Sequence, residues 1–409
     1  MRFTLIILVT ILVGGNAHAA PLTFGAALKL AADTAPDLEA KDLELKAVRS
    51  VAIAAGRLPD PKLELGVEGF PVSGPFAGHP ERDDFSDVRV GVMQDLPNGA
   101  KRRAARSRAL ADIKAAEAAR AVTARDVRLK AALAWIDLYY AERRVAALDD
   151  VDRALKPLRE AAPAQLASGT LRPAQTLEPQ ELIAALADRR ADLVASVAKA
   201  RAELERWTGE ASPEVAGQPP DYRVDPAVLA AGLDNLPALR AFDPMLSQAD
   251  ADLEAAKAER VPDASLEFAY QRRDPRFGDM VLLQATIGLP LFASTRQDPI
   301  IAGRAERASS VMVQMQAARR EMVAQLQASL ADHAMHHERL TRARGTLVPL
   351  ADRRARLETA SYAAGNASLG DVLEAFVALA EARIDLIDRE ALVVRDGAAI
   401  VLTYGSEPQ

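Results

Sequence analysis

Residues 87–106 read DVRVGVMQDLPNGAKRRAAR, and the sequence pattern changes within this stretch. Residues 87–96 alternate valines with polar side chains, which is the period-2 pattern of a β-strand with one apolar face. After a Leu-Pro step, an alanine-rich run with helical spacing extends over residues 99–168. At about 1.5 Å per residue such a helix is on the order of 100 Å long, which is too long for an ordinary globular domain.

The same plan occurs twice along the chain. The tetrapeptide RLPD at 57–60 recurs as RVPD at 260–263, and a Leu-Pro step precedes each long helix. Two copies favour a duplicated fold with pseudo-symmetry over a solenoid. Each half is predicted to hold a strand pair and one long helix: strands 61–70 and 87–96 with helix 99–168, then strands 264–271 and 280–289 with helix 294–364.

The first residues have the features of a secretory signal peptide. Arg2 supplies the positive charge, residues 5–13 are apolar, and residues 17–19 read AHA, a small-x-small cleavage site. The apolar run is about half of the roughly 20 residues that a membrane span requires. We therefore predict a signal peptide at 1–19, a first repeat at 20–209 and a second at 210–409.

Composition narrows the class of protein. The chain has 409 residues, is 49% hydrophobic but only 4% aromatic, and carries a net charge of −6. Abundant alanine is typical of closely packed helices, and the negative charge argues against nucleic-acid binding. The chain has no cysteine, which excludes disulfides and a lipidated N-terminal cysteine.

The four predicted strands cannot close a barrel by themselves. A soluble antiparallel sheet with one wet face is the alternative for any single strand. In lipid, however, an open sheet edge is forbidden, and three subunits would supply twelve strands and remove every edge. The predicted fold is mainly α with a small β part: a trimeric α-helical barrel capped by a 12-stranded transmembrane β-barrel.

The signal peptide, the duplication and the strand–proline–helix order resemble TolC-type outer-membrane efflux channels. The segments PLTF at 21–24 and RLPDP at 57–61 resemble the heavy-metal branch of that family, although the branch usually has Asn where this chain has Asp60. The resemblance implies a homotrimer in the outer membrane that extends into the periplasm. It also implies a passive exit duct, with a periplasmic adaptor and an inner-membrane transporter of the resistance-nodulation-division type as partners.

The family's helices turn back at glycine-containing tips that adaptors contact, and acidic rings line the periplasmic entrance. The matching tip residues are Gly169 and Thr170 in the first repeat, and Gly365 and Asn366 in the second. The matching acids are Asp371, Glu374 and, through the repeat, Glu178. From the residues alone, Asp371 and Glu374 are also explained as acids that favour a helix N-terminus.

Two other clusters have ordinary explanations. His333, His336 and His337 are weak candidates for metal contact, because positions i and i+4 can share an ion, but a polar helix patch is the simpler account. The basic helix start from Lys101 to Arg106 is predicted to be a solvated or headgroup-facing surface.

No enzyme signature is present in the sequence, and no cofactor is expected. The main alternative function is a periplasmic coiled-coil adaptor. Adaptors normally carry one helical hairpin, whereas this chain is predicted to have two hairpins and lipid-patterned strands.

Overall fold

The computed structural model describes residues 21–167 and 177–405. The predicted signal peptide and the first tip, which includes Gly169 and Thr170, lie outside the described residues. The helices in chain order are α1 (Phe24–Thr34), α2 (Pro36–Ala52), α3 (Gly99–Ala167), α4 (Leu177–Thr208), α5 (Pro226–Gly232), α6 (Pro237–Arg240), α7 (Phe242–Ala258), α8 (Gln297–Arg342), α9 (Val348–Ala363) and α10 (Leu369–Tyr404). The strands are β1 (Leu22–Thr23), β2 (Lys62–Glu68), β3 (Asp87–Leu96), β4 (Val215–Ala216), β5 (Ala264–Arg272) and β6 (Met280–Ile287).

Four strands form one antiparallel sheet in the order β2-β3-β5-β6. The strand pairs of the two repeats meet at β3 and β5, where Val90 lies opposite Tyr270. β2 and β6 are therefore the two edges of the sheet, and neither edge pairs with another described strand.

One face of this sheet is apolar and exposed. The cross-strand row Leu63–Val92–Phe268–Leu283 shows the pattern, since its side chains are between 48% and 76% exposed. The opposite face is polar and carries the Arg89–Glu68 ion pair at 2.7 Å, with the buried Glu267 also contacting Arg89. An apolar face that water covers is costly at about 25 cal/mol per Å², so this face requires an apolar environment.

Around the middle of α3, the N-terminal segment packs onto the long helix. Trp135 is fully buried, and its indole N–H donates to the Leu22 carbonyl at 2.8 Å. The Phe24 ring meets the Trp135 ring edge-on, with centroids 5.4 Å apart. Leu22 also pairs with Val215 in the short parallel β1–β4 ladder, so residues from both repeats close this part of the core.

The second long helix differs from its predicted form. A single helix was expected over residues 294–364, but α8 and α9 are joined by a π-helical turn over Ala343–Leu347. Pro349 is the second residue after the turn. Proline has no N–H to donate to the carbonyl four residues earlier, here that of Gly345, and its ring crowds this carbonyl. The proline therefore accounts for the shifted hydrogen-bond register.

Among the described residues, no helix combines the length and the apolarity that a membrane-spanning helix needs.

Candidate functional site

The described tip of the molecule is the turn between α9 and α10, and its geometry explains the glycine there. Gly365 has φ +80°, and its N–H donates to the Tyr362 carbonyl at 3.0 Å. The Asn366 N–H donates to the Ser361 carbonyl at 2.8 Å, which completes a Schellman motif. The chain reverses here, and residues 363–366 are exposed at the end of the hairpin.

Asp371 caps the helix that follows this turn. Its Oδ2 accepts from the Ser368 backbone N–H at 2.8 Å, and its own N–H donates to Ser368 Oγ at 3.1 Å. This reciprocal arrangement is a capping box. The hydrogen bonds from the Ser368 side chain and backbone lower the pKa of Asp371, so the carboxylate is charged at neutral pH.

Glu374 lies one turn further along α10 and is exposed, as is Asp371. Val372 and Leu373 between them are buried, so the two acids project away from the hairpin core. The structure therefore places both carboxylates on the exposed side of the first turns of α10, as their spacing predicted.

Arg354 is a tip residue that the sequence analysis did not identify. It lies on α9, and its Nη2 is 3.6 Å from Glu374 Oε1 across the hairpin. Residues at similar distances from the turn of a helical hairpin lie opposite each other, but the sequence around Arg354 does not distinguish it from the other arginines of α9. Arg354 leaves the group of Arg354, Asp371 and Glu374 with one net negative charge per chain.

Glu178 lies near the start of α4, and its side chain is outside the described residues.

Further from the tip, ion pairs join the helices of the bundle. Glu390 on α10 accepts from Arg143 on α3 and from Arg344 in the π-helical turn, both at 2.8 Å. Burial, together with the nearby Glu390, raises the pKa of Tyr140 to about 12. These contacts connect both repeats at the level where the second long helix changes its register.

The three histidines of α8 lie where this helix packs against α10. His336 Nδ1 lies 2.6 Å from Asp396 Oδ2 on α10, while His333 and His337 meet edge to face with ring centroids 4.9 Å apart. Burial, and to a lesser extent His337, lower the pKa of His333. No three His, Asp or Glu side chains of the described residues could hold an ion. In the described part of the chain the cluster is thus a packing contact between α8 and α10, and metal contact by His333, His336 or His337 stays a prediction.

The junction between the sheet and α3 is held by a polar clamp made of Asn98, Lys101 and Asp263. Asp263 accepts from the Asn98 backbone N–H at 2.8 Å and pairs with Lys101 Nζ at 2.5 Å. The pKa of Asp263 is lowered, because these contacts outweigh its partial burial. Lys101 is therefore an ion-pair partner within the chain, rather than part of the predicted solvated or headgroup-facing surface.

Comparison with known proteins shows what the chain is similar to. Residues 228–406 match the family model for outer membrane efflux proteins. Over 375 residues the chain is 25% identical to the cobalt-zinc-cadmium resistance protein CzcC of Cupriavidus metallidurans, an alignment that covers 90% of this chain and 86% of the relative. The second half of the chain is therefore similar to outer membrane efflux proteins, and nearly the whole chain is similar to CzcC.

Solved outer-membrane channels share the fold of this chain. The Campylobacter jejuni CmeC channel superposes with a TM-score of 0.77 at 13% identity, covering 93% of this chain and 85% of the channel. CusC superposes with a TM-score of 0.76 at 16% identity, covering 94% and 92%. VceC of Vibrio cholerae does so with 0.73 at 18% identity, covering 93% and 96%.

The predicted mainly helical fold, the outer-membrane location and the efflux function are therefore confirmed. The resemblance to the heavy-metal branch is consistent with the CzcC match. The adaptor alternative is not favoured. The family is one of transport proteins.

Proposed function

We propose that three copies of this efflux protein assemble into an outer-membrane exit duct that passively conducts cations, including transition-metal ions. The observation that carries the proposal is the four-stranded sheet, which has an apolar exposed face, a polar face and two open edges. Backbone groups on an open edge cannot be left unpaired in lipid. Pairing β6 of one copy with β2 of the next removes both edges and closes a twelve-stranded barrel around the polar face.

The tip supports a second element of the proposal. In a trimer, Asp371 and Glu374 of each copy would surround the periplasmic mouth, and the net charge left by Arg354 would amount to three negative charges. A ring of negative charge in a narrow aqueous opening attracts cations and repels anions. We propose this ring as the periplasmic constriction, with Glu178 as a further candidate from the first repeat.

The cargo and the partners are inferred from chemistry and resemblance. A cation-attracting mouth suits divalent metal ions, and the similarity to a protein described as a cobalt-zinc-cadmium resistance protein points the same way. A passive duct needs an energised inner-membrane pump, and an adaptor to join the two. The exposed turn with Gly365 and Asn366 is a proposed adaptor contact. Gly169 and Thr170 of the first repeat, which lie outside the described residues, are proposed as the other contact.

Neighbouring residues on β6 give a matched test of the membrane placement. Leu283 is 76% exposed on the apolar face, and Gln284, opposite Glu267, lies on the polar face. Leu283→Arg should destabilise the inserted protein by about 2–4 kcal/mol if it faces lipid near the bilayer midplane. Gln284→Arg should have little effect, because it adds a cation beside an acid in an aqueous lumen.

The measurement is urea unfolding of the protein folded into lipid vesicles, with outer-membrane fractionation as a second readout. Equal stability of the two arginine variants would show that the apolar face does not meet lipid. Cargo is tested separately, by asking whether deletion of the gene lowers the tolerated concentration of Co²⁺, Zn²⁺ and Cd²⁺ and whether the wild-type gene restores it. Restored tolerance to organic toxins but not to these ions would contradict the metal assignment alone.

A further inference from the structure

On the apolar face, β5 carries an ordered series of side chains. Leu266, Phe268, Tyr270 and Arg272 occupy alternate positions and therefore point to the same side. Each step of two residues rises by about 6.8 Å, so the series passes from aliphatic to aromatic, phenolic and then cationic over about 20 Å. The strand ends far from α3, which places Arg272 at the outer end of the sheet. Tyrosine followed by arginine is the order expected where hydrocarbon gives way to lipid headgroups.

Arg272 has an apolar neighbourhood on that same face. The cross-strand register places it directly opposite Val88, which in turn lies opposite Val67. These residues, with Phe70, line a cavity of about 430 Å³ at the outer rim. A guanidinium beside an exposed aliphatic and aromatic wall is suited to a ligand that has both an anionic and a hydrocarbon part.

The other charged groups around this cavity either contact residues of this chain or lie on the polar face of the sheet. Arg276 pairs with Asp274 at 2.9 Å and with Asp84 at 2.8 Å, and Glu81 lies 3.1 Å from His79. Arg273 donates to the Phe277 and Gly278 carbonyls at 3.3 and 3.4 Å, while Asp87 alternates onto the polar face of β3.

Arg272 itself is exposed and forms no hydrogen bond or ion pair with a described residue. The guanidinium has five N–H donors in a planar fork, and phosphate oxygens match this fork in pairs. A lipid phosphate is the anion that a membrane supplies at this depth.

We propose that Arg272, with the wall formed by Val67, Phe70 and Val88, binds a phosphate-bearing glycolipid of the outer leaflet. The guanidinium holds the headgroup phosphate, and one acyl chain lies along the valines and the phenylalanine. The site is distinct from the conducting lumen, because it is on the opposite face of the sheet. It rests on the proposed outer-membrane assembly.

The test is native mass spectrometry of the full-length mature protein in detergent, titrated with diphosphoryl lipid A and with its dephosphorylated form. Arg272→Gln should weaken binding of the diphosphoryl form about tenfold, because a charge-assisted bidentate contact is lost. Arg272→Lys, which keeps the charge but not the fork, should lose less. Arg296→Gln removes an exposed guanidinium near the start of α8, at the opposite end of the sheet, and should bind like the wild type.

Equal affinity of the wild type and Arg272→Gln, or equal binding of the dephosphorylated lipid, would overturn the proposal. Displacement of the lipid by millimolar inorganic phosphate would also overturn it, since the site would then bind a free anion. Conductance in planar bilayers distinguishes a failure of the lipid-site proposal from a failure of the proposed duct. If the wild type forms channels but Arg272→Gln leaves lipid binding unchanged, the proposed lipid site is wrong and the proposed duct stands. If the wild type forms no channels, the proposed duct itself is wrong.

Discussion

Removing Arg354 should make the periplasmic mouth more selective for cations. Each chain contributes two acids to the tip, Asp371 and Glu374. The guanidinium of Arg354 lies 3.6 Å from Glu374, so its positive charge offsets one of the two negative charges. Arg354→Gln therefore doubles the net negative charge of the proposed ring, from three to six in a trimer. The pair is exposed, with side chains 55% and 64% accessible, so its loss should cost the fold well under about 1 kcal/mol.

The size of the effect follows from Coulomb's law. A unit charge about 4 Å from a permeating ion contributes about 1 kcal/mol in bulk water, so three additional charges contribute about 3 kcal/mol before screening. Screening over a Debye length of about 10 Å at 0.1 M salt reduces this energy. About 1.4 kcal/mol corresponds to a factor of ten, and we expect roughly a tenfold rise in the cation-to-anion permeability ratio.

The assay is the reversal potential of single channels in planar bilayers under a potassium chloride gradient. Asp371→Asn combined with Glu374→Gln leaves Arg354 uncompensated and should shift the preference toward anions, while asparagine preserves an acceptor for the Ser368 cap. Arg319→Gln is the control, since Arg319 pairs with Asp234 at 2.7 Å away from the tip. If Arg354→Gln and Arg319→Gln give the same reversal potential as the wild type, the tip acids do not control ion entry.

Three further outcomes are expected. Gly365→Ala should destabilise the tip by about 1 kcal/mol, because alanine is strained at φ +80°. Gly303→Ala, within α8, is the control and should be neutral or stabilising, because a Cβ there meets no other atom. Thermal unfolding measures both effects. Asp263→Ala should lower the free energy of unfolding by about 1–2 kcal/mol, because Asn98 then loses its hydrogen-bond acceptor. Denaturant titration of the folded trimer measures this loss, and unchanged stability would disprove the clamp. The pKa of Asp371 is lowered from 3.8, so its capping contribution to stability is fully present above pH 3.8 and is lost as the pH falls through the lower pKa of the folded state. Amide hydrogen exchange of residues 369–372 should therefore become faster at that low pH. Asp371→Asn should remove this pH dependence of exchange.

The strands were predictable because one face of each is apolar. Their period-2 pattern is visible in single residues such as Val88, Val90 and Val92, and β3 has the predicted bounds. The ends of β2 and β6 were overestimated, since Phe70 and Leu289 are apolar but lie beyond the ladder. Apolarity at those positions reflects location at the sheet rims rather than strand pairing.

Features that depend on contacts between distant residues were not predictable. The π-helical turn at Ala343–Leu347 follows from Pro349 in an otherwise continuous helical pattern, which by periodicity alone reads as one helix. The role of His336 became clear only when α10 placed Asp396 beside it. Arg354 also required the hairpin register, because nothing in its immediate sequence separates it from the other arginines of α9.

The central claim, that three sheets close into one barrel, can be tested directly because the chain contains no cysteine. Cysteines placed one at a time at Leu63, Leu65 or Val67 on β2, each combined with Leu283→Cys on β6, should crosslink between subunits in intact cell envelopes. Within one chain the two edge strands are separated by three strand spacings, about 14 Å in all, so a disulfide cannot form inside a monomer. We predict a covalent trimer on denaturing gels for at least one register. Exclusively monomeric protein across all three pairs, under oxidation, would contradict trimeric closure.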